Sequence, residues 1–228
     1  MSTLMQPSMN VAQRIGRNLA LVSAVAMLVA CSALPQQAAP VVRYDFGLGS
    51  SVNNPAVTAA AAQTRAPLVM APVKAASVVD ASTAIVYRLA YANDRELRPY
   101  SQARWSAPAA QLIQQRMRDT LSQSRAVLMA NDGATQALVP AAPPAMLRLE
   151  VSEFSQVFDS TTSSRGVLRL RATLTELTPK GEKWLGQQVF DVSEPASSGD
   201  AAGGTAAMAA ASTQAAQQLD NWLRQLGR

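Results

Sequence analysis

Two stretches of the chain, Met146 to Phe154 and Val167 to Leu177, place apolar side chains at every second position. Leu147, Leu149 and Val151 share one face of the first, and Leu168, Leu170, Ala172 and Leu174 share one face of the second. Successive side chains of an extended strand point to opposite faces, so this alternation predicts half-buried antiparallel strands with one wet side. Phe154 falls out of phase, which predicts a bulge or strand end near Glu153. Pro179-Lys-Gly181 then supplies a hairpin turn into a further strand, Trp184 to Val192.

The flanking segments supply helices and a shorter strand. Ile85 to Tyr91 is rich in β-branched and aromatic residues and precedes a polar turn at Asn93-Asp94, so it reads as a strand. Ser106 is a candidate helix cap, Pro108 falls in the first turn, and Leu112, Ile113, Arg116, Met117, Thr120 and Leu121 recur at helical spacing as far as Ser124. A short apolar run, Ala126 to Ala130, leads to the turn signal Asn131-Asp132-Gly133. After Gly203-Gly204, with Thr205 as the expected cap, Met208, Ala211, Ala215, Leu219, Trp222 and Leu226 form one face of a long alanine-rich helix. The order predicts an α+β domain over residues 84–228, a mostly antiparallel sheet with two main helices packed on one face. That length is ample for one core.

Residues 31–83 read differently. Ala, Pro, Val, Gln, Ser and Asn dominate, with few aromatic residues to bury, which predicts a mobile tether. Within it Val41 to Phe46 alternates well enough for one strand, and Leu68 to Val79 offers a second that Pro72 interrupts.

The first 30 residues have the order of an export signal: Arg14 and Arg17, then an uncharged run from Leu19 to Ala30, then Cys31, the single cysteine. Twelve residues are too few to span a bilayer stably, so removal is favoured over retention. Leu28-Val29-Ala30-Cys31 resembles a lipobox, in which the cysteine is thioether-linked to diacylglycerol and becomes the new N-terminus; the alternative is an ordinary signal with an incidental cysteine. Two or three acyl chains, palmitate among them, would hold a protein on a membrane durably, whereas one binds reversibly. Ser32, where retained lipoproteins of Gram-negative envelopes carry aspartate, points by resemblance to the periplasmic face of the outer membrane.

Removing residues 1–30 takes away two arginines and no acids, leaving 18 basic and 15 acidic residues, a charge of +3. These are scattered, which is not a nucleic-acid signature. The chain has no histidine, so Ser-His-Asp catalysis and histidine metal sites are excluded; no cofactor or metal site is expected. Glu150 with Glu153, or Asp159 with Glu176, are the available carboxylate pairs, but nothing accompanies them that would complete a mechanism. Arg148, Arg169 and Arg171 fall on the wet faces of the two clearest strands, where an acidic head group, an acidic partner or water alone could meet them. Arg104 and Trp105 are the residue types that dominate interface energies and are the candidate partner-binding pair; the alternative for Trp105 is a plug in the core beside the helix start. Trp184 and Trp222 are expected in the core.

Several of these pieces, in this order, resemble the auxiliary lipoproteins of ABC-type envelope transport systems, including the third component of the paraquat-inducible lipid-transport operons. They are the lipobox, Tyr87-Arg-Leu, Tyr100-Ser-Gln-Ala-Arg-Trp-Ser-Ala-Pro108 leading into Gln111-Leu-Ile-Gln-Gln-Arg-Met, Leu147 to Phe154, and the alanine-rich C-terminal helix, together covering residues 84–226. The long Ala/Pro insertion before Ile85 departs from the family pattern. The resemblance implies a non-catalytic protein beside an inner-membrane permease and ATPase and an MCE-domain periplasmic protein that carries phospholipid or other hydrophobic cargo. It leaves homo-oligomerisation open, and no phosphate-cradling Gly-x-x-x-x-Gly-Lys loop occurs in this chain. Envelope-assembly lipoproteins without a transport role, and hydrolases, are the competing classes.

Overall fold

The longest ladders of the sheet are those that alternation predicts. A computed structural model describes residues 40–47, 65–75, 82–130 and 144–228. Strand β7 (Ala145–Phe158) pairs antiparallel with β8 (Ser164–Thr178), which pairs antiparallel with β9 (Gly181–Pro195). Leu147, Leu149, Val151, Leu168, Leu170, Ala172 and Leu174 are all buried. The β7–β8 register slips between Val151 and Glu153, and this bulge returns Phe154 to the buried face.

The other edge of β7 is shared by three short parallel partners. Strand β2 (Leu68–Met70) pairs with Ala145 to Leu147, β3 (Lys74–Ala75) with Glu150 and Val151, and β4 (Ala84–Leu89) with Gln156 to Phe158. Strand β6 (Val127–Met129) lies parallel outside β2. On the far side of β4 comes the antiparallel β5 (Asn93–Trp105), and parallel to its end β1 (Val42–Tyr44). The α+β reading holds, with antiparallel long ladders and parallel short ones. All of these elements belong to the compact unit Val41–Arg228. The strands before residue 84 are therefore part of the domain: Leu68 and Met70 are among its most buried side chains.

Helix α1 (Ala109–Ser122) buries Ile113, Met117 and Leu121 completely, and α2 (Ala201–Gln225) buries Met208, Ala211, Ala215, Leu219 and Leu223. Together with the inward sheet side chains these form one core. Each large aliphatic side chain contributes roughly 1.5–3 kcal/mol on burial.

Several local expectations are corrected. Asn93 and Asp94 begin β5, the turn being one step earlier at Ala90 to Ala92, where Ala92 N–H donates to Leu89 O at 2.9 Å. Ser106 does not cap α1: Pro108 occupies the cap position with no side-chain bond. Helix α2 starts before the two glycines, capped by Asp200, whose carboxylate accepts from Gly203 N–H at 2.9 Å. Thr205 lies inside the helix and donates to Ala201 O at 2.7 Å. At Gly204 a Cβ would meet the Gln156 amide, which would have to move from its bonds to Tyr100 and Ser164. The expected turn at Asn131-Asp132-Gly133, the signal segment, Cys31 and most of the tether lie outside the described residues.

Candidate functional site

Trp105 ends β5 opposite Tyr44 of β1, and its ring is 1% exposed. It stacks on Phe154 at 5.7 Å between centroids and meets the edge of Phe46 at 5.4 Å. This is the core plug of the two readings, so the indole offers no surface to a partner. Arg104, on the other side of the strand, donates to the carbonyls of Tyr100 and Ala103 of its own strand. Adjacent residues of a strand point to opposite faces, and the pair is divided accordingly.

The wet face of β7, β8 and β9 carries the arginines that the alternation placed there. Arg148 pairs with Glu182, Arg169 with Asp191 and Arg171 with Glu150. The Glu182 carboxyl is held below its ordinary value by the Thr175 hydroxyl and then by Arg148. Lys74, Arg148, Arg171, Pro72, Val73 and Leu149 line a groove of about 520 Å³ on this side of the molecule.

Neither carboxylate pair is assembled as a catalytic pair. Glu153 accepts a forked contact from Arg88, at 3.1 and 2.9 Å, while Asp159 pairs with Arg165 and Glu176 with Arg228. Each of these carboxylates is occupied by a guanidinium and none faces its candidate partner, the arrangement of surface ion pairs. No group of three or more acidic, cysteine or histidine side chains capable of holding a metal occurs among the described residues.

Trp222 is half-buried, edge-on to Phe190 at 6.2 Å and packed over Gly186, as expected for a core contact. Trp184 is not in the core. It is 62% exposed, because the β8–β9 register slips: Leu174 faces Gly186 but Thr175 faces Trp184, leaving Leu185 as the extra residue. Directly opposed residues of an antiparallel pair share a face, so the slip moves Trp184 to the wet side with Thr175. Leu177, two residues along from Thr175, is 64% exposed on that same side.

Two polar clusters had no signal in the sequence. Asp220 of α2 collects Arg65, Arg125 and Arg224, and the Arg125 side chain is fully buried. Burial pulls the Arg125 guanidinium below its ordinary value, against the opposing pull of Asp220, and its Nε and Nη1 have no hydrogen-bond partner among the described residues. Gln156 accepts from the Tyr100 hydroxyl at 2.7 Å and donates to Ser164 at 2.8 Å. Burial, with Tyr87 and Asp200 nearby, pushes the Tyr100 phenol up to about 12.

Among solved structures, a Xanthomonas campestris protein of the DUF330 family superposes with a TM-score of 0.59 at 24% identity, covering 75% of this chain and 90% of that one. An uncharacterised protein superposes with a TM-score of 0.55 at 12% identity, covering 81% and 99%. At these identities the likeness establishes the fold alone. No curated protein matches the chain. The family described as the ABC-type transport auxiliary lipoprotein component matches residues 48–220, well over half of the sequence, and the chain belongs to that family.

Proposed function

We propose that this protein is a non-catalytic lipoprotein of an envelope ABC transport system, held by acyl chains on Cys31 at the periplasmic face of the outer membrane. Its partners in this reading are an MCE-domain periplasmic protein and the inner-membrane permease and ATPase, and the cargo is phospholipid or another hydrophobic molecule. The observation that carries the transport role is the family match over residues 48–220. The anchor rests on the basic flank, the short apolar run and Leu28-Val29-Ala30-Cys31. The pairing of the candidate carboxylates with arginines supports a role without chemistry. No helix among the described residues is long and apolar enough to cross a membrane.

The test is purification of the tagged chain from its own envelope in mild detergent, after growth with labelled palmitate. The expected result is label on the wild type, none on Cys31→Ser, and co-recovery of an MCE-domain protein with its permease. Recovery without either partner, while other envelope complexes survive, refutes the transport reading in favour of an envelope-assembly lipoprotein. Label that persists in Cys31→Ser refutes the anchor.

A further inference from the structure

The closed end of the β8–β9 hairpin gathers exposed apolar side chains and unpaired cations. Trp184 and Leu177 are each more than three-fifths exposed. They lie on the wet face beside half-buried Met146, which stands opposite Thr175 as Trp184 does. Lys180 in the turn and Lys183 in β9 are exposed, and neither has an ion-pair partner among the described residues. The arginines at this end, by contrast, are matched: Arg148 with Glu182 and Arg228 with Glu176. The surplus charge of the tip is therefore carried by its lysines.

An indole beside aliphatic side chains, with Lys180 in the turn beyond it and Lys183 on the reverse face of the same strand end, gives the hairpin tip the composition of a surface that rests at the boundary between head groups and acyl chains. The indole ring is favoured where one side is apolar and the other wet, and ammonium groups are attracted to lipid phosphates. We infer that the β8–β9 hairpin tip docks on an anionic lipid surface, Trp184 and Leu177 entering the head-group layer and Lys180 and Lys183 meeting its phosphates. The inference rests on the proposed attachment at Cys31.

The length of the preceding chain allows it. Following the register across the sheet, Arg43 lies opposite Arg104, Arg104 opposite Ala84, Ala84 at the level of Glu153, and Glu153 opposite Arg169. From Arg169 to the turn after Thr178 is nine residues, about 30 Å along the strand at ~3.3 Å per residue. The eleven residue steps from Cys31 to Val42 reach up to about 38 Å when extended. A membrane holding Cys31 is therefore within reach of the hairpin tip.

The acylated full chain is reconstituted into vesicles of phosphatidylcholine with phosphatidylglycerol, whose acyl chains carry bromine near the head group. Flotation with the vesicles reads the anchor, and quenching of tryptophan emission by bromine reads the hairpin. Expected is a blue shift and bromine quenching in the wild type. Both are lost in Trp184→Phe, and quenching falls in Lys180→Glu/Lys183→Glu and in vesicles of phosphatidylcholine alone. A chain that floats, escapes bromine quenching and leaves Trp184 open to aqueous iodide overturns the inference while the anchor stands. A chain that fails to float refutes the anchor and the inference together. Iodide shielding that rises with protein density in the vesicle, without bromine quenching, assigns the surface to a second copy and also overturns it.

Discussion

Replacing Asp220 with alanine removes the one hydrogen-bond partner that the buried Arg125 side chain has among the described residues. The Arg125 guanidinium is wholly inside and, among the described residues, makes a single bond, Nη2 to Asp220 Oδ1 at 2.9 Å, with Nε and Nη1 unpaired. Breaking a buried ion pair by deleting one partner costs about 3–5 kcal/mol, since the remaining charge is left uncompensated. The other two contacts add little. Arg224 is half exposed at 3.6 Å, and Arg65, although closer at 3.0 Å, reaches solvent; such pairs contribute a few tenths to about 1 kcal/mol. The expected loss is about 4 kcal/mol, a large part of the ~5–15 kcal/mol that holds an ordinary domain together. At ~2–4 °C per kcal/mol for a domain of this size, Tm falls by about 12 °C. Circular dichroism during heating, and urea titration, measure it. Arg125→Met added to Asp220→Ala removes the orphaned charge and should recover most of the loss. A fall in Tm of a degree or two for Asp220→Ala, or a double variant no more stable than the single one, refutes the reading of Asp220 as the counter-charge on which buried Arg125 depends.

Gly166→Ala places a methyl group 2.5 Å from the Ala207 carbonyl carbon and 2.8 Å from Met208 Cα, both backbone of α2. The helix has to lift from β8, and a loss of about 3 kcal/mol in urea titration is expected. Tyr100→Phe strips the hydroxyl that donates to Gln156 and should cost about 1–2 kcal/mol by the same assay, with no change in circular dichroism at low temperature. The Asp200 carboxyl is held below its ordinary value, first by the Gly203 N–H and then by the Ser198 hydroxyl. Its contribution is therefore present above the ordinary carboxylate range and lost as pH falls through the lowered value. Tm of the wild type should approach that of Asp200→Asn as the solution is acidified below about pH 4, where an ordinary aspartate already protonates; a gap that widens there contradicts the capping role.

What could be read from the sequence was what periodicity records. The buried faces of β7 and β8 follow directly from alternation, and Phe154, by breaking the phase, marked its own bulge. Strand β5 was missed because Asn93 to Gln102 is polar, contains Pro99 and exposes most of its side chains. Its strand conformation comes from hydrogen bonding to β4 and β1 rather than from its own pattern. Trp184 was misplaced for a related reason: the one-residue slip at Leu185 reverses the faces of everything before it, and no local composition encodes the slip. The glycines of α2 looked like a helix boundary. They are instead internal positions where the Ser198 backbone and the Gln156 side chain approach too closely for a Cβ. Arg104 and Trp105 were legible as unusual neighbours, but only the ring contacts show that the indole is spent on the core. The Asp220 cluster joins residues as far apart as Arg65 and Asp220, a separation that sequence reading does not bridge.

The sharing of one edge of β7 by β2, β3 and β4 has a consequence for the order in which the chain can acquire structure. All three strands precede β7 in the chain, and none can lie against it until residue 145 and beyond has been made. Before then the tight β4–β5 hairpin is the available local pairing, while β1 with β5 and β2 with β6 each close loops of about 60 residues. Pairings that distant form slowly, because the chain's freedom is surrendered before the contacts return it. The first two-thirds of the polypeptide is thus kept from closing its sheet while it is being synthesised, a delay that would suit the export across a membrane proposed above.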